Sequence, residues 1–288
     1  MERPTHVAHL PVGDLEYCLE HRGPRTVLVL HGGHMRAGLA LGEEVFADDG
    51  YTILAPSRPG YGRTPVSTGR SEAGFADAVR SLCEHLGITE IAAAVGSSAG
   101  GRAAVTLAAR HPDLVRRVIL QSAVGPLPWP APHVRLGAHI VFAAATERAT
   151  WSAVRLLMRR APDAGLRLLL PDLSVTPVHK VLKGLNVDHR AELIELFSSM
   201  RSGHGFRNDL TANPDVTSQV HQPTLVIATR TDGAVPFTHA RQLATAIPNA
   251  RLIESRADSH FIWFGPDWPD IATEIRAFLH SEPPAIHD

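Results

Sequence analysis

Residues 92–104 read AAAVGSSAGGRAA. Ser97 and Ser98 stand side by side among glycines and alanines, with an apolar run before them and a helical pattern after them. Such a stretch is either a tight packing turn that needs small residues or a turn that holds a nucleophile. Glycine spacing separates the two serines. Gly96 and Gly100 flank Ser98 at two residues on either side, the G-x-S-x-G pattern of a strand–turn–helix elbow. Ser97 would need glycine at Val95 and Ala99. A serine at the apex of so sharp a turn takes a strained backbone, and small neighbours let the helix approach the strand. The N–H of the next residue, Ala99, then lies at a helix N-terminus, where an anion is stabilised.

Working outward, the flanking chain repeats one form. RTVLVLHGG (25–33), YTILAPSRPGYG (51–62), ITEIAAAVG (88–96), VRRVILQSA (115–123), PTLVIAT (223–229) and ARLIES (250–255) are short apolar runs. Runs of this kind suit strands buried on both faces of a parallel sheet. Helical patterns lie between them at 72–86, 100–110 and 238–247, the last with Thr238 as its expected N-cap. The opening segment HVAHLPVGDLEYCLEHRG reads instead as a hairpin turning at Val12-Gly13-Asp14.

The alternation breaks between about residues 125 and 217. This stretch opens on the proline-dense GPLPWPAPH and continues as amphipathic helical patterns. The expected N-caps are Thr150, Asp188 and, with Pro177 as first helical residue, Thr176; Gly203 is an expected stop. Trp151, Leu156, Leu157, Phe197 and Met200 are expected to cover a pocket or pack on one another. The tail SEPPAIHD is expected to be loose.

Bulk properties bound the function. The chain has 288 residues, 44% hydrophobic and 20% charged, with a net charge of −1. That is ample for a core and offers no field to recruit nucleic acid or an anionic membrane. The N-terminal MERPTHVAHLPVG lacks the apolar run of a signal peptide, and runs such as AHIVFAAA are too short to span a bilayer. Cys18 and Cys83 lack CxxC spacing and fit free thiols in a reducing compartment, so a cytoplasmic location is expected.

A serine nucleophile needs a base, and the base needs an orienting acid. Asp232 stands just past the run 223–229, and His260 follows the run 250–255. Alone, Asp232 is also a turn-forming Asp-Gly and His260 is one of 17 histidines. The order Ser98, Asp232, His260, each at a strand end, is the order an elbow serine requires. A second oxyanion donor should come from the loop after residues 25–30, where Gly33 can present its N–H. His34 follows it directly, and reads either as a substrate contact or as a loop histidine.

On LHGG, APSRPGYGRT, VGSSAGG, TRTDGAVP and DSHF, the chain resembles the α/β-hydrolase superfamily, of the serine-nucleophile type with a helical cap inserted after the sixth strand. The resemblance covers roughly residues 15–125 and 215–280. It implies an α/β fold, a mostly parallel doubly wound sheet of about eight strands with an α-helical cap. The core would comprise residues 1–125 and 215–288, and the cap 126–214. It implies Ser98 as nucleophile, His260 as base, Asp232 as acid, and Gly33 and Ala99 as oxyanion donors, with His31 ordering its loop. Two positions depart from the family pattern: Ser57, where aspartate is frequent, and Ser259, where glycine is usual.

Serine rather than aspartate at the elbow points to acyl chemistry. The expected activity is hydrolysis of small to medium carboxylic esters, lactones or thioesters, with a small molecule as partner. Carbon–carbon bond hydrolysis, hydroxynitrile lyase or perhydrolase chemistry on the same triad, and a slow-turnover ligand receptor, are the alternatives. No zinc-type spacing and no G-x-G-x-x-G is present, so no metal or cofactor is expected.

Overall fold

A computed structural model describes residues 2–130, 135, 137, 141–143, 145–211 and 214–281. Half of the run 138–145, part of the proline-dense segment, and the tail beyond Ser281 lie outside the described residues. Eight strands form one sheet: β1 (His6–Leu10), β2 (Gly13–Glu20), β3 (Thr26–Leu30), β4 (Thr52–Pro56), β5 (Ala93–Ser97), β6 (Val118–Gln121), β7 (Thr224–Thr229) and β8 (Ala250–Ser255). Their order is β1-β2-β4-β3-β5-β6-β7-β8. The β1–β2 and β2–β4 pairings are antiparallel and the rest parallel. Every residue of β3, β4, β5, β6 and β7 is buried, as continuous apolar runs require when both faces are covered. The hairpin turns at Pro11-Val12, one residue earlier than the sequence suggests, because Gly13 already pairs with Leu10.

Helices α1 (Glu44–Ala47), α2 (Glu72–His85) and α3 (Gly100–Arg110) follow β3, β4 and β5. Between β6 and β7 lie α4 (Glu147–Arg160), α5 (Pro162–Leu169), α6 (Val178–Gly184), α7 (Val187–Ser199) and α8 (Gly205–Asp209). Helices α9 (Phe237–Ala246) and α10 (Trp268–His280) close the fold. The helices of the β6–β7 segment are not a separate apolar body. Trp151, Met158, Leu196 and Phe197 join the cluster that contains Val27, Val29 and Phe46 on one side of the sheet. Cys18 and Cys83 are buried free thiols, and burial pushes Cys83 up to about 12.

The expected caps are displaced. Helix α4 begins at Glu147, so Thr150 lies inside it. Asn186, not Asp188, caps α7, because its Oδ1 accepts from the His189 N–H at 2.7 Å. Pro177 takes the cap position expected of Thr176, whose N–H is held by Ser174 Oγ instead. Pro236 occupies the cap of α9, one turn residue before Phe237, and Thr238 lies within the helix. Helix α7 stops at Ser199, short of Gly203, because Met200 is extended and the Arg201 N–H turns to His34 O. Leu156 is 56% exposed and covers nothing, whereas Trp151, Phe197 and Met200 are buried.

Candidate active site

Ser98 sits between β5 and α3 with φ = 51°, in the left-handed region that costs any residue with a Cβ. Its small neighbours are needed for the reason the sequence suggests. A Cβ on Gly96 would lie 2.7 Å from Ala104 Cβ, and one on Gly100 would lie 2.0 Å from Leu30 O. The elbow is pinned by Ser98 N–H to Gln121 O (3.0 Å) and by Ser98 O accepting from Gly101 and Val124 N–H. The two serines have different surroundings. Both border a cavity, but Ser97 is buried and donates to Gln121 Oε1, while Ser98 is half-buried.

Asp232 and His260 come together from the ends of β7 and β8. Asp232 Oδ2 lies 2.7 Å from His260 Nδ1, and Asp232 Oδ1 accepts the N–H groups of Ala234 and Val235, each at 2.8 Å. Both side chains are buried. The histidine loop is fixed by His260 N–H to Leu173 O (2.7 Å) and by Ser122 Oγ to His260 O (2.9 Å). Ser122 was not legible as a site residue, although it stands at the end of β6, a strand end like the others. Ser259 Oγ accepts the Phe261 N–H at 3.3 Å, so serine at this position stays within the loop's own hydrogen bonding.

The loop after β3 brings Gly32, Gly33 and His34 to the elbow. A Cβ on Gly32 would approach Ser98 Cβ to 3.0 Å. Neither the Gly33 nor the Ala99 N–H has a backbone partner among the described residues. His31 Nε2 pairs with Glu43 Oε1 at 2.6 Å, and His31 O accepts from Arg58 Nε at 2.9 Å. Arg58 in turn is clamped by both carboxylate oxygens of Asp209 in α8, which also accepts from Tyr61 OH at 2.6 Å. Burial opposes the Arg58 charge, but Asp209 outweighs it and raises its pKa. Ser57 replaces an expected carboxylate by bridging Glu16 Oε2 and the Ala37 N–H.

His34 has φ = 65° and stands on the cavity wall. Its ring centroid lies 4.3 Å from Phe206, 4.7 Å from Phe142 and 5.2 Å from Trp151. Its Nδ1 lies 2.7 Å from Ser202 Oγ. Burial lowers its pKa to about 4. The cavity measures about 700 Å³ and is walled by Trp151, Phe197, Met200, Phe206, Phe261 and Trp263 among others. No lysine or arginine stands on its wall among the described residues, and Asp172 does.

The model of the alpha/beta hydrolase fold family matches residues 25–266. The chain belongs to this family. It is a hydrolase. A Bacillus subtilis (strain 168) protein called uncharacterized hydrolase YcgS is 31% identical over 288 residues, covering 98% of this chain and all of its own. A 2-hydroxy-6-oxononadienedioate/2-hydroxy-6-oxononatrienedioate hydrolase of Pseudomonas sp. is 24% identical, over 80% of this chain and 79% of its own. An alpha/beta hydrolase fold protein from Nakamurella multipartita superposes with a TM-score of 0.81 at 23% identity, covering 96% of this hydrolase and 99% of its own chain. No helix among the described residues is long and apolar enough to cross a membrane.

Proposed function

We propose that this hydrolase cleaves small to medium, uncharged carboxylic esters, lactones or thioesters through an acyl-enzyme on Ser98. The observation that carries the reading is the left-handed elbow at Ser98 on the same cavity wall as His260, whose Nδ1 meets Asp232. Asp232 holds the proton on Nδ1, which leaves Nε2 of His260 as the base. Ser98 Oγ attacks the carbonyl carbon as Nε2 takes its proton. The resulting oxyanion accepts from the Gly33 and Ala99 N–H groups. Collapse breaks the bond to the alcohol oxygen, which leaves with the proton from Nε2. Water, deprotonated by the same nitrogen, then releases the acid and restores Ser98. Residues 126–214 act as the cap that shapes the cavity above a core of residues 1–125 and 215–288. The buried free thiols support a place in the reducing cytoplasm.

Ser98→Ala tests the reading. Turnover of p-nitrophenyl butyrate should fall by at least ~10³-fold, since the members of such a set act as a unit. A fluorophosphonate adduct should map to Ser98 by mass. Unchanged turnover in Ser98→Ala refutes it. Carbon–carbon cleavage of an oxo-dioate, the substrate in the Pseudomonas relative's name, is the weaker reading. A dianion would meet Asp172 and no described cationic side chain on this wall.

A further inference from the structure

His34 presents a hydrogen-bond donor whose tautomer the surrounding groups fix. Ser202 is fully buried, and its hydroxyl touches two nitrogens, Trp151 Nε1 at 2.8 Å and His34 Nδ1 at 2.7 Å. An indole N–H only donates, so the Ser202 oxygen accepts from Trp151. The Ser202 hydroxyl proton then has one acceptor among the described residues, His34 Nδ1. A neutral imidazole that accepts at Nδ1 carries its proton at Nε2. Burial keeps the ring neutral. Nε2 has no hydrogen-bond partner among the described residues and belongs to a half-buried residue of the cavity wall. The backbone of His34 is strained at φ = 65° and is held there by Arg201 N–H to His34 O at 3.0 Å. Three aromatic rings fix the plane of the imidazole. A donor so constrained, facing a wall that is otherwise mainly apolar, is preorganised for an acceptor in the ligand.

We propose that His34 is a specificity-determining residue whose Nε2–H reads an uncharged acceptor oxygen of the substrate, an ether, keto or hydroxyl oxygen a few bonds from the reacting carbonyl. His34 follows Gly33 directly, with Cα atoms ~3.8 Å apart, so a donor on its side chain is within reach of a short acyl chain bound at the Gly33 N–H. The substrate class is therefore an acyl compound with a second oxygen, rather than a plain alkanoate. This rests on the acyl-enzyme reading above.

The test compares isosteric p-nitrophenyl esters in which one chain methylene becomes an ether oxygen: butyrate with methoxyacetate, pentanoate with 3-methoxypropanoate, and hexanoate with 4-methoxybutanoate. The readout is the kcat/KM ratio within each pair, normalised to wild type, which cancels intrinsic reactivity. His34→Phe and His34→Met remove the donor, and His34→Gln keeps one. In at least one pair the ether preference should fall about five- to tenfold in the Phe and Met variants, the effect of one lost hydrogen bond. His34→Gln should retain most of it. Ratios unchanged in every pair, a uniform fall across all six esters, or an equal loss in His34→Gln overturns the proposal. Ser98→Ala is measured alongside. If it still turns over esters, the acyl-enzyme reading fails. If it is dead while the ratios stay fixed, only the role of His34 fails.

Discussion

Asp232→Asn separates the orienting role of the acid from its place in the fold. Asn is isosteric, so the question is which way its amide points. Asp232 Oδ1 accepts two backbone N–H groups at 2.8 Å, and a flip would turn an NH₂ toward both. Leaving two buried donors unpaired costs about 1–3 kcal/mol each, so the carbonyl oxygen stays on Ala234 and Val235. The NH₂ then faces His260 Nδ1, where Asp232 Oδ2 had been at 2.7 Å. That hydrogen bond survives only if Nδ1 accepts, which places the imidazole proton on Nε2 and removes the base. The expected loss in kcat is about 10⁴-fold, or about 5.4 kcal/mol of barrier. Stability should change far less. Bonds to a carboxylate become bonds to an amide, a loss of about 1–2 kcal/mol, which shifts Tm by only a few degrees. The assay is p-nitrophenyl butyrate turnover under saturation, paired with a thermal melt and the rate of fluorophosphonate labelling. Activity within tenfold of wild type in a folded Asp232→Asn protein would refute the orienting role of this carboxylate.

Three further outcomes follow from other parts of the structure. Gly100→Ala places a Cβ 2.0 Å from Leu30 O and 2.6 Å from His31 O, both backbone atoms. It should cost ~3 kcal/mol or more and show as a large drop in Tm or in soluble yield. Asp209→Asn leaves the buried Arg58 charge without its counter-ion and should destabilise by about 3–5 kcal/mol in urea unfolding; a loss under 1 kcal/mol would contradict the pairing. His239 is buried, and burial lowers its pKa to about 4 from 6.5. Between those values the unfolded chain binds a proton that the folded chain refuses, so stability rises with pH across this window and is lost as pH falls from 6.5 toward 4. The full term is about 3 kcal/mol. His239→Gln, which keeps an acceptor for the Gly125 N–H, should flatten the unfolding free energy between pH 6.5 and 4.5.

The sheet and the three strand-end residues were legible because each obeys a local rule. Short apolar runs announce the buried parallel strands β5 and β7, and Ser98 and Asp232 follow them closely; β8, which precedes His260 and is expected from its run to be buried on both faces, is an edge strand and only partly buried. Cap positions were less legible because competing donors sit nearby: Asn186 outcompetes Asp188 by two residues, and Ser174 takes the Thr176 N–H. The segment between β6 and β7 was least legible. Its amphipathic faces do not say whether they meet the sheet, one another or a cavity, and Leu156 shares a helix with Trp151 yet faces solvent. The partners that matter there are distant. His34 and Ser202 are 168 residues apart, as Arg58 and Asp209 are 151 apart, and no periodicity within one element encodes such pairs.

The strained backbone of the site divides along the same line. Among the described residues, His34, Ser98 and Ser122 are the non-glycine positions with positive φ. Each carries a cost of about 1–3 kcal/mol that its surroundings must hold. Ser98 is held by Gln121, Gly101 and Val124, and Ser122 by Ile227 and His260, all in or beside the sheet. His34 is held by Arg201 and Ser202, from the segment between β6 and β7. That segment is itself anchored where Glu147 Oε1 accepts the Ser202 and Gly203 N–H groups at the start of α4. The nucleophile elbow therefore takes its geometry from the sheet, the loop of His260 is held both by Ser122 at the end of β6 and by Leu173 in the insertion, and the group proposed to read substrate is held by the insertion. Substitutions around Arg201 and Ser202 can then change what is accepted while leaving the elbow in place, whereas substitutions around Leu173 reach the proposed base.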